Sequence, residues 1–180
     1  MVGVEVLMVC HGNICRSPMA AAVASTLVEE AGLEHLVTIS SAGTSNEHAG
    51  DPMDRRAADA LRRHGWPVPA HRARQIRARD VRPGDLVLAA DRWNLRSLQR
   101  MALAAEPILL RSFDPTASPG DDEVPDPWYD GREAFDLALS LIESACRGLV
   151  AHLNAELRAE LGSTRGTATT SDGLAGLDPG

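Results

Sequence analysis

The chain has 180 residues, 44% of them hydrophobic, three cysteines and a formal net charge of -7. That length supports one substantial core and a single domain, the negative charge argues against a general nucleic-acid binder, and three cysteines do not make a disulfide framework. No apolar run approaches the roughly 18 residues needed to span a bilayer and no signal-peptide pattern opens the chain, so the expectation is a cytoplasmic protein with no membrane partner.

The run Val4 to Cys10 is nearly continuous in apolar residues, which predicts a strand buried on both faces of a parallel sheet. Ser17-Pro18 followed by Met19-Ala20-Ala21-Ala22-Val23 predicts a helix to Ala31, with Ser17 as N-cap and Pro18 at the first helical position. Further strands are expected at Val37 to Ser41, Leu86 to Ala90 and Pro107 to Leu110. Helical patterns cover Met53 to His64, closed by Gly65, then Arg92 to Ala104 after Asp91, and Arg132 to Leu161. Strand-helix alternation implies an α/β fold, a small doubly wound parallel sheet with right-handed crossovers and helices on both faces. Residues 1–161 read as one domain, and the polar, glycine-bearing stretch 162–180 as a disordered tail.

The chemistry concentrates in Val9-Cys10-His11-Gly12-Asn13-Ile14-Cys15-Arg16-Ser17-Pro18, between the first strand and the first helix. Backbone amides at a helix N-terminus suit a bound phosphate, and Gly12 permits backbone conformations that a side chain forbids. A helix N-terminus and a neighbouring cation favour the thiolate, the reactive form of cysteine, which makes Cys10 the candidate nucleophile. Arg16 offers a planar fork that can hold two phosphate oxygens into the transition state. Ser17 can donate to the Cys10 sulfur as it departs. Asn13 tolerates the left-handed conformation and can tie the loop to nearby backbone. Cys15 is either core filler or a resolving partner that protects Cys10 from overoxidation. Cys146 falls in the apolar helical run from Leu139 to Leu153 and reads as core.

These ten residues resemble the signature of the low-molecular-weight protein tyrosine phosphatases. Ser40-Ser41-Ala42-Gly43-Thr44, His71-Arg72-Ala73-Arg74-Gln75, Leu88-Ala89-Ala90-Asp91 with Asn94, and Asp126-Pro127-Trp128-Tyr129 are similar to family landmarks in the family's order. The resemblance implies a four-stranded sheet and a hydrolase acting on phosphotyrosine proteins through a phosphocysteine, without metal or cofactor, as a monomer or weak dimer. It assigns the general acid and base to Asp126, on a loop stiffened by Pro125 and Pro127. It places Ser41 and His71 in a hydrogen-bond network bracing Asn13, with His11, Gly12, Ile14, Cys15 and Ser17 completing the phosphate site. Trp128 and Tyr129 would wall a slot for an aromatic phosphoester. Asp91 ends a strand on the side of the sheet where active sites gather, and can also cap the next helix.

Thiol-dependent arsenate reductases share the loop, but their relay needs further cysteines on a mobile segment, and the one cysteine after Cys15 is Cys146. Phosphoarginine phosphatases carry a threonine where this chain has Ile14. A non-catalytic phosphotyrosine-binding module would not need Cys10, Arg16, Ser17 and Asp126 together. Charge is unevenly spread: arginines crowd positions 55 to 82, whereas Asp121, Asp122, Glu123, Asp126 and Asp130 make the acid-bearing loop negative. Solvated faces explain most such runs, although some of these arginines can attract anionic substrates.

Overall fold

The computed structural model describes residues 3–166. Four parallel strands, β1 (Val4–Cys10), β2 (Val37–Gly43), β3 (Leu86–Ala89) and β4 (Pro107–Leu109), form one sheet in the order β2-β1-β3-β4. The helices are α1 (Arg16–Glu30), α2 (Arg55–Arg63), α3 (Arg92–Gln99) and α4 (Arg132–Gly166). Short 3-10 turns cover Ala78–Asp80 and Leu110–Phe113.

β1 explains its own position. Val6, Met8 and Cys10 face one hydrophobic cluster with α1, α2 and α4, while Leu7 and Val9 face a second with Val87, Ala89, Leu98 and Leu109. A strand apolar on both faces is stable only between two helical layers, so β1 takes the centre. Its neighbours β2 and β3 lie on opposite sides, and the chain therefore reverses its winding at β1. Open α/β sheets place their ligand crevice at such a point, beyond the carboxyl ends of the strands. Cys10 ends β1 and Asp91 follows β3, which brings both to that crevice.

Close approaches lock the layers. A Cβ on Gly148 of α4 would lie 1.8 Å from the Phe113 carbonyl oxygen, and one on Gly43 at the end of β2 would lie 2.5 Å from the His11 carbonyl oxygen. The buried ion pair Arg111–Asp114, at 2.9 Å, anchors the segment after β4. Burial pushes the Asp114 carboxyl up, but hydrogen bonds from Ser144, Thr116 and Arg111 outweigh it and hold the pKa at about 2.

Several expected boundaries shift. α1 begins at Arg16 rather than after a Ser17 cap, Cys15 occupies the cap position without a side-chain bond, and Pro18 is the third helical residue. The Ser17 hydroxyl is consumed inside the loop instead. α2 begins at Arg55 because Asp54 caps it, its carboxylate accepting from the Arg56 amide. α3 ends at Gln99, where Arg100 and Met101 turn the chain back toward β4. α4 runs to Gly166, past the expected domain end at Leu161. The rest of the expected tail, 167–180, lies outside the described residues. No helix among the described residues is long and apolar enough to cross a membrane.

Candidate active site

Asn13 organises the loop between Cys10 and Arg16. It is the one non-glycine residue among the described residues with positive φ, at 57°, and its side chain is fully buried. Its Nδ2 donates to Ser17 Oγ and to Ser41 Oγ, both at 2.9 Å, and its Oδ1 accepts from the Arg74 amide at 2.9 Å. Its carbonyl oxygen lies 2.6 Å from His71 Nε2, so that nitrogen carries the proton. Burial lowers the His71 pKa, and the bond to the Asn13 carbonyl partly opposes it. The curl is thus held from β2 and from the 71–74 segment at once. Among the described residues, none of the backbone amides of residues 12–16 has a hydrogen-bond acceptor, which leaves a nest of donors facing the crevice.

Cys10 lies at the floor, 3% exposed, with its Sγ 3.1 Å from Ser17 Oγ. The Ser17 hydroxyl has one proton for two acceptors, that sulfur and the Ala42 carbonyl at 3.3 Å. Cys15 is a free buried thiol. Burial pushes its pKa far above the ordinary range, with Asp54 and Cys10 adding to the effect. Cys146, fully buried in α4, is likewise pushed up by burial, to about 12.

Arg16 projects its guanidinium between two carboxylates. Nη1 donates to Asp91 Oδ2 at 2.6 Å and to the Val124 carbonyl at 3.0 Å, while Nη2 donates to Asp126 Oδ2 at 2.8 Å. Burial alone would lower its pKa, but Cys10, Asp126 and Asp91 together raise it. Arg16 Nε is buried and has no partner among the described residues. Asp91 does two jobs: its Oδ1 caps α3 by accepting from the Asn94 amide at 2.7 Å, and its Oδ2 holds Arg16.

A cleft of about 490 Å³ opens over this floor. Cys10, His11, Gly12, Ile14, Cys15, Arg16, Asp91, Asp126, Trp128 and Tyr129 all line it. Asn13 and Ser17, expected among the phosphate-binding residues, do not line it; with Ser41 and His71 they lie behind the loop and shape it through the bonds above. Trp128 is fixed in the wall, because Arg56 Nη1 donates to its carbonyl at 2.9 Å and the Arg56 guanidinium lies 5.2 Å from its ring centre. Tyr129 is 94% exposed at the outer edge.

Three wall residues escaped the sequence reading. Glu47 and His48 come from the loop after β2, and the His48 ring packs 5.5 Å from Trp128. Trp93, half exposed at the start of α3, also lines the cleft. An exposed tryptophan two residues after Asp91 was a usable signal, since the chain has only three tryptophans. Asn94 was also missed as a brace. With its amide oriented to suit both neighbours, it donates to Asp91 and accepts from the His11 amide at 3.2 Å. No group of three or more His, Cys, Asp or Glu side chains that could hold a metal ion occurs among the described residues.

The sequence pattern of low molecular weight phosphotyrosine protein phosphatases matches residues 5–159. A low molecular weight protein-tyrosine-phosphatase from Streptomyces coelicolor is 47% identical over 151 residues, covering 82% of this chain and 92% of that protein. The crystal structure of a protein tyrosine phosphatase from Entamoeba histolytica superimposes with a TM-score of 0.79 at 30% identity, over 86% of this chain and 99% of that one. An arginine phosphatase from Drosophila aligns with a TM-score of 0.75 at 31% identity, over 82% of this chain and 96% of that one.

Proposed function

The chain belongs to the low molecular weight phosphotyrosine protein phosphatase family, and from that premise we propose that it hydrolyses phosphotyrosine in proteins, and aryl phosphate monoesters generally, through a phosphocysteine intermediate. The observation that carries the reading is the juxtaposition of Cys10 Sγ, 3.1 Å from Ser17 Oγ, with the unpaired loop amides and the buried Arg16 fork above them.

A phosphate in the nest would accept from the loop amides and from Arg16, whose unpartnered Nε and whose Nη2, now on Asp126, are the donors an equatorial oxygen pair needs. The Cys10 thiolate attacks phosphorus in line with the tyrosyl oxygen. The P–O bond breaks, and Asp126 gives its proton to that oxygen. Water then attacks the phosphocysteine and passes a proton back to Asp126. The P–S bond breaks, and the sulfur leaves as a thiolate stabilised by a hydrogen bond from Ser17 Oγ.

The aromatic leaving group fits the walls. Trp128 and Trp93 both line the cleft and offer aromatic surface against which an aryl ring can pack. Ile14 lines the floor without a hydroxyl, which disfavours a guanidino phosphate. The sheet and its helices, through the end of α4, act as one catalytic domain, and its three free thiols suit a reducing, cytoplasmic setting.

The deciding experiment compares turnover of phosphotyrosine peptide, alkyl phosphate and phosphoarginine peptide, with the Asp126→Asn variant beside the parent. Phosphotyrosine should be turned over fastest. Asp126→Asn should slow it roughly 10²- to 10⁴-fold while sparing esters of very acidic phenols, which leave without a proton. Preferred turnover of phosphoarginine, or an unchanged leaving-group dependence in the variant, would overturn the assignment.

A further inference from the structure

The basic stretch between residues 55 and 82 is not uniformly solvated charge. Asp54 pairs with Arg56, Asp59 with Arg62, Asp136 with Arg63, Asp80 with Arg74, and Glu5 and Asp85 with Arg82. Arg55, Arg72, Arg77 and Arg79 differ: none is in an ion pair among the described residues, and Arg72 reaches only the Gly50 carbonyl, at 3.1 Å. Of these, Arg55 and Arg72 line one hollow of about 640 Å³, together with the Asp59–Arg62 ion pair and an apolar wall that includes Pro52, Val68 and Pro69.

This hollow lies next door to the cleft. Glu47 and His48 line the cleft, and Pro52 begins the hollow, so one short segment separates them. Four residues of chain span at most about 14 Å. An extended peptide advances about 3.3 Å per residue, so four or five residues reach from the phosphotyrosine to the hollow. Arg55, Arg62 and Arg72 against the single carboxylate of Asp59 leave the hollow net positive, so a bound peptide gains by laying an acidic end into it.

We propose that this hollow is an exosite for an acidic stretch of the substrate protein, four or five residues from the phosphotyrosine. The inference rests on the proposed phosphotyrosine activity and adds the sequence context that the enzyme selects. Apolar walls between the guanidinium groups suit carboxylates carried on aliphatic stems, as in glutamate, rather than an inorganic ion.

The test uses three phosphotyrosine peptides of equal length, one with three glutamates beginning four residues before the phosphotyrosine, one with them beginning four residues after it, and one neutral. One acidic peptide should exceed the neutral one in kcat/KM by about three- to tenfold, the scale of two exposed charge pairs. The gain should appear in KM and fade in 0.5 M salt. Arg55→Glu with Arg72→Gln should abolish the preference and leave turnover of para-nitrophenyl phosphate within twofold of the parent. Equal kcat/KM for all three peptides would overturn the exosite while leaving the phosphatase reading intact. So would a preference that survives in the double variant. Failure to hydrolyse any of the peptides would sink both.

Discussion

Replacing Asn13 tests whether the loop is held as described. Asn13→Ala removes three side-chain hydrogen bonds, to Ser17, Ser41 and the Arg74 amide, in a fully buried position. At about 1 kcal/mol each, these contribute about 3 kcal/mol. Alanine at φ 57 adds about 1 kcal/mol of backbone strain that asparagine largely avoids. The expected loss is therefore about 4 kcal/mol, a large share of the 5–15 kcal/mol typical of a domain. Urea unfolding followed by tryptophan fluorescence reads it directly: with a slope of about 2 kcal/mol/M, the midpoint falls by about 2 M. Asn13→Gly removes the same bonds without the strain and should be about 1 kcal/mol more stable than Asn13→Ala. Both variants should also lose turnover, because Ser17 would no longer be fixed beside Cys10. An Asn13→Ala protein within 1 kcal/mol of the parent and with parental kcat would refute the claim that this side chain sets the loop.

Cys10→Ser should show no turnover yet still bind vanadate, measurable by calorimetry, because the amide nest and Arg16 are untouched; residual hydrolysis above a thousandth of the parent rate would count against a covalent step. Arg16→Lys keeps the charge but not the fork, and should lower kcat by at least 10²-fold; steady-state kinetics within fivefold of the parent would show that the bidentate grip is unimportant. Asp114 has a depressed folded-state pKa of about 2 against an ordinary 3.8, so its contribution is complete above about pH 4 and is lost as pH falls toward 2. That contribution is about 2 kcal/mol, and the fall in urea midpoint between pH 5 and pH 2 should be correspondingly smaller in Asp114→Asn than in the parent.

The order and type of every strand and long helix were legible because each carries a periodic apolar pattern with a local stop signal. β1 reads as a strand apolar on both faces, and it is one. What sequence could not supply were decisions made by tertiary contact. Ser17 looks like a helix cap, since serine before a proline and an alanine run favours that role. Its hydroxyl is instead drawn inward by Cys10 and Asn13, and α1 starts uncapped. The cleft floor was readable from one contiguous motif. The walls were not, because Glu47, His48 and Trp93 arrive from two separate loops and carry no spacing that links them to Cys10. Asp54 and Arg56 escaped for the same reason, their importance arising only when Trp128 folds onto Arg56.

The two carboxylates on Arg16 are not equivalent, and their difference gives each a separate place in the proposed cycle. Asp91 is 18% exposed, committed to the α3 cap and flanked by the buried Asn94, so swinging its carboxylate away from Arg16 would also uncap a helix. Asp126 is 49% exposed, on a loop where its other oxygen takes only a 3.2 Å bond from the Trp128 amide. In that cycle an incoming phosphate dianion would compete for the same guanidinium, and the carboxylate with fewer commitments would yield. Arg16 would then stay aimed by Asp91 and the Val124 carbonyl, while Asp126 would be released to serve the leaving oxygen. Substrate binding would thereby free the acid that the next step needs, through a competition for a single arginine.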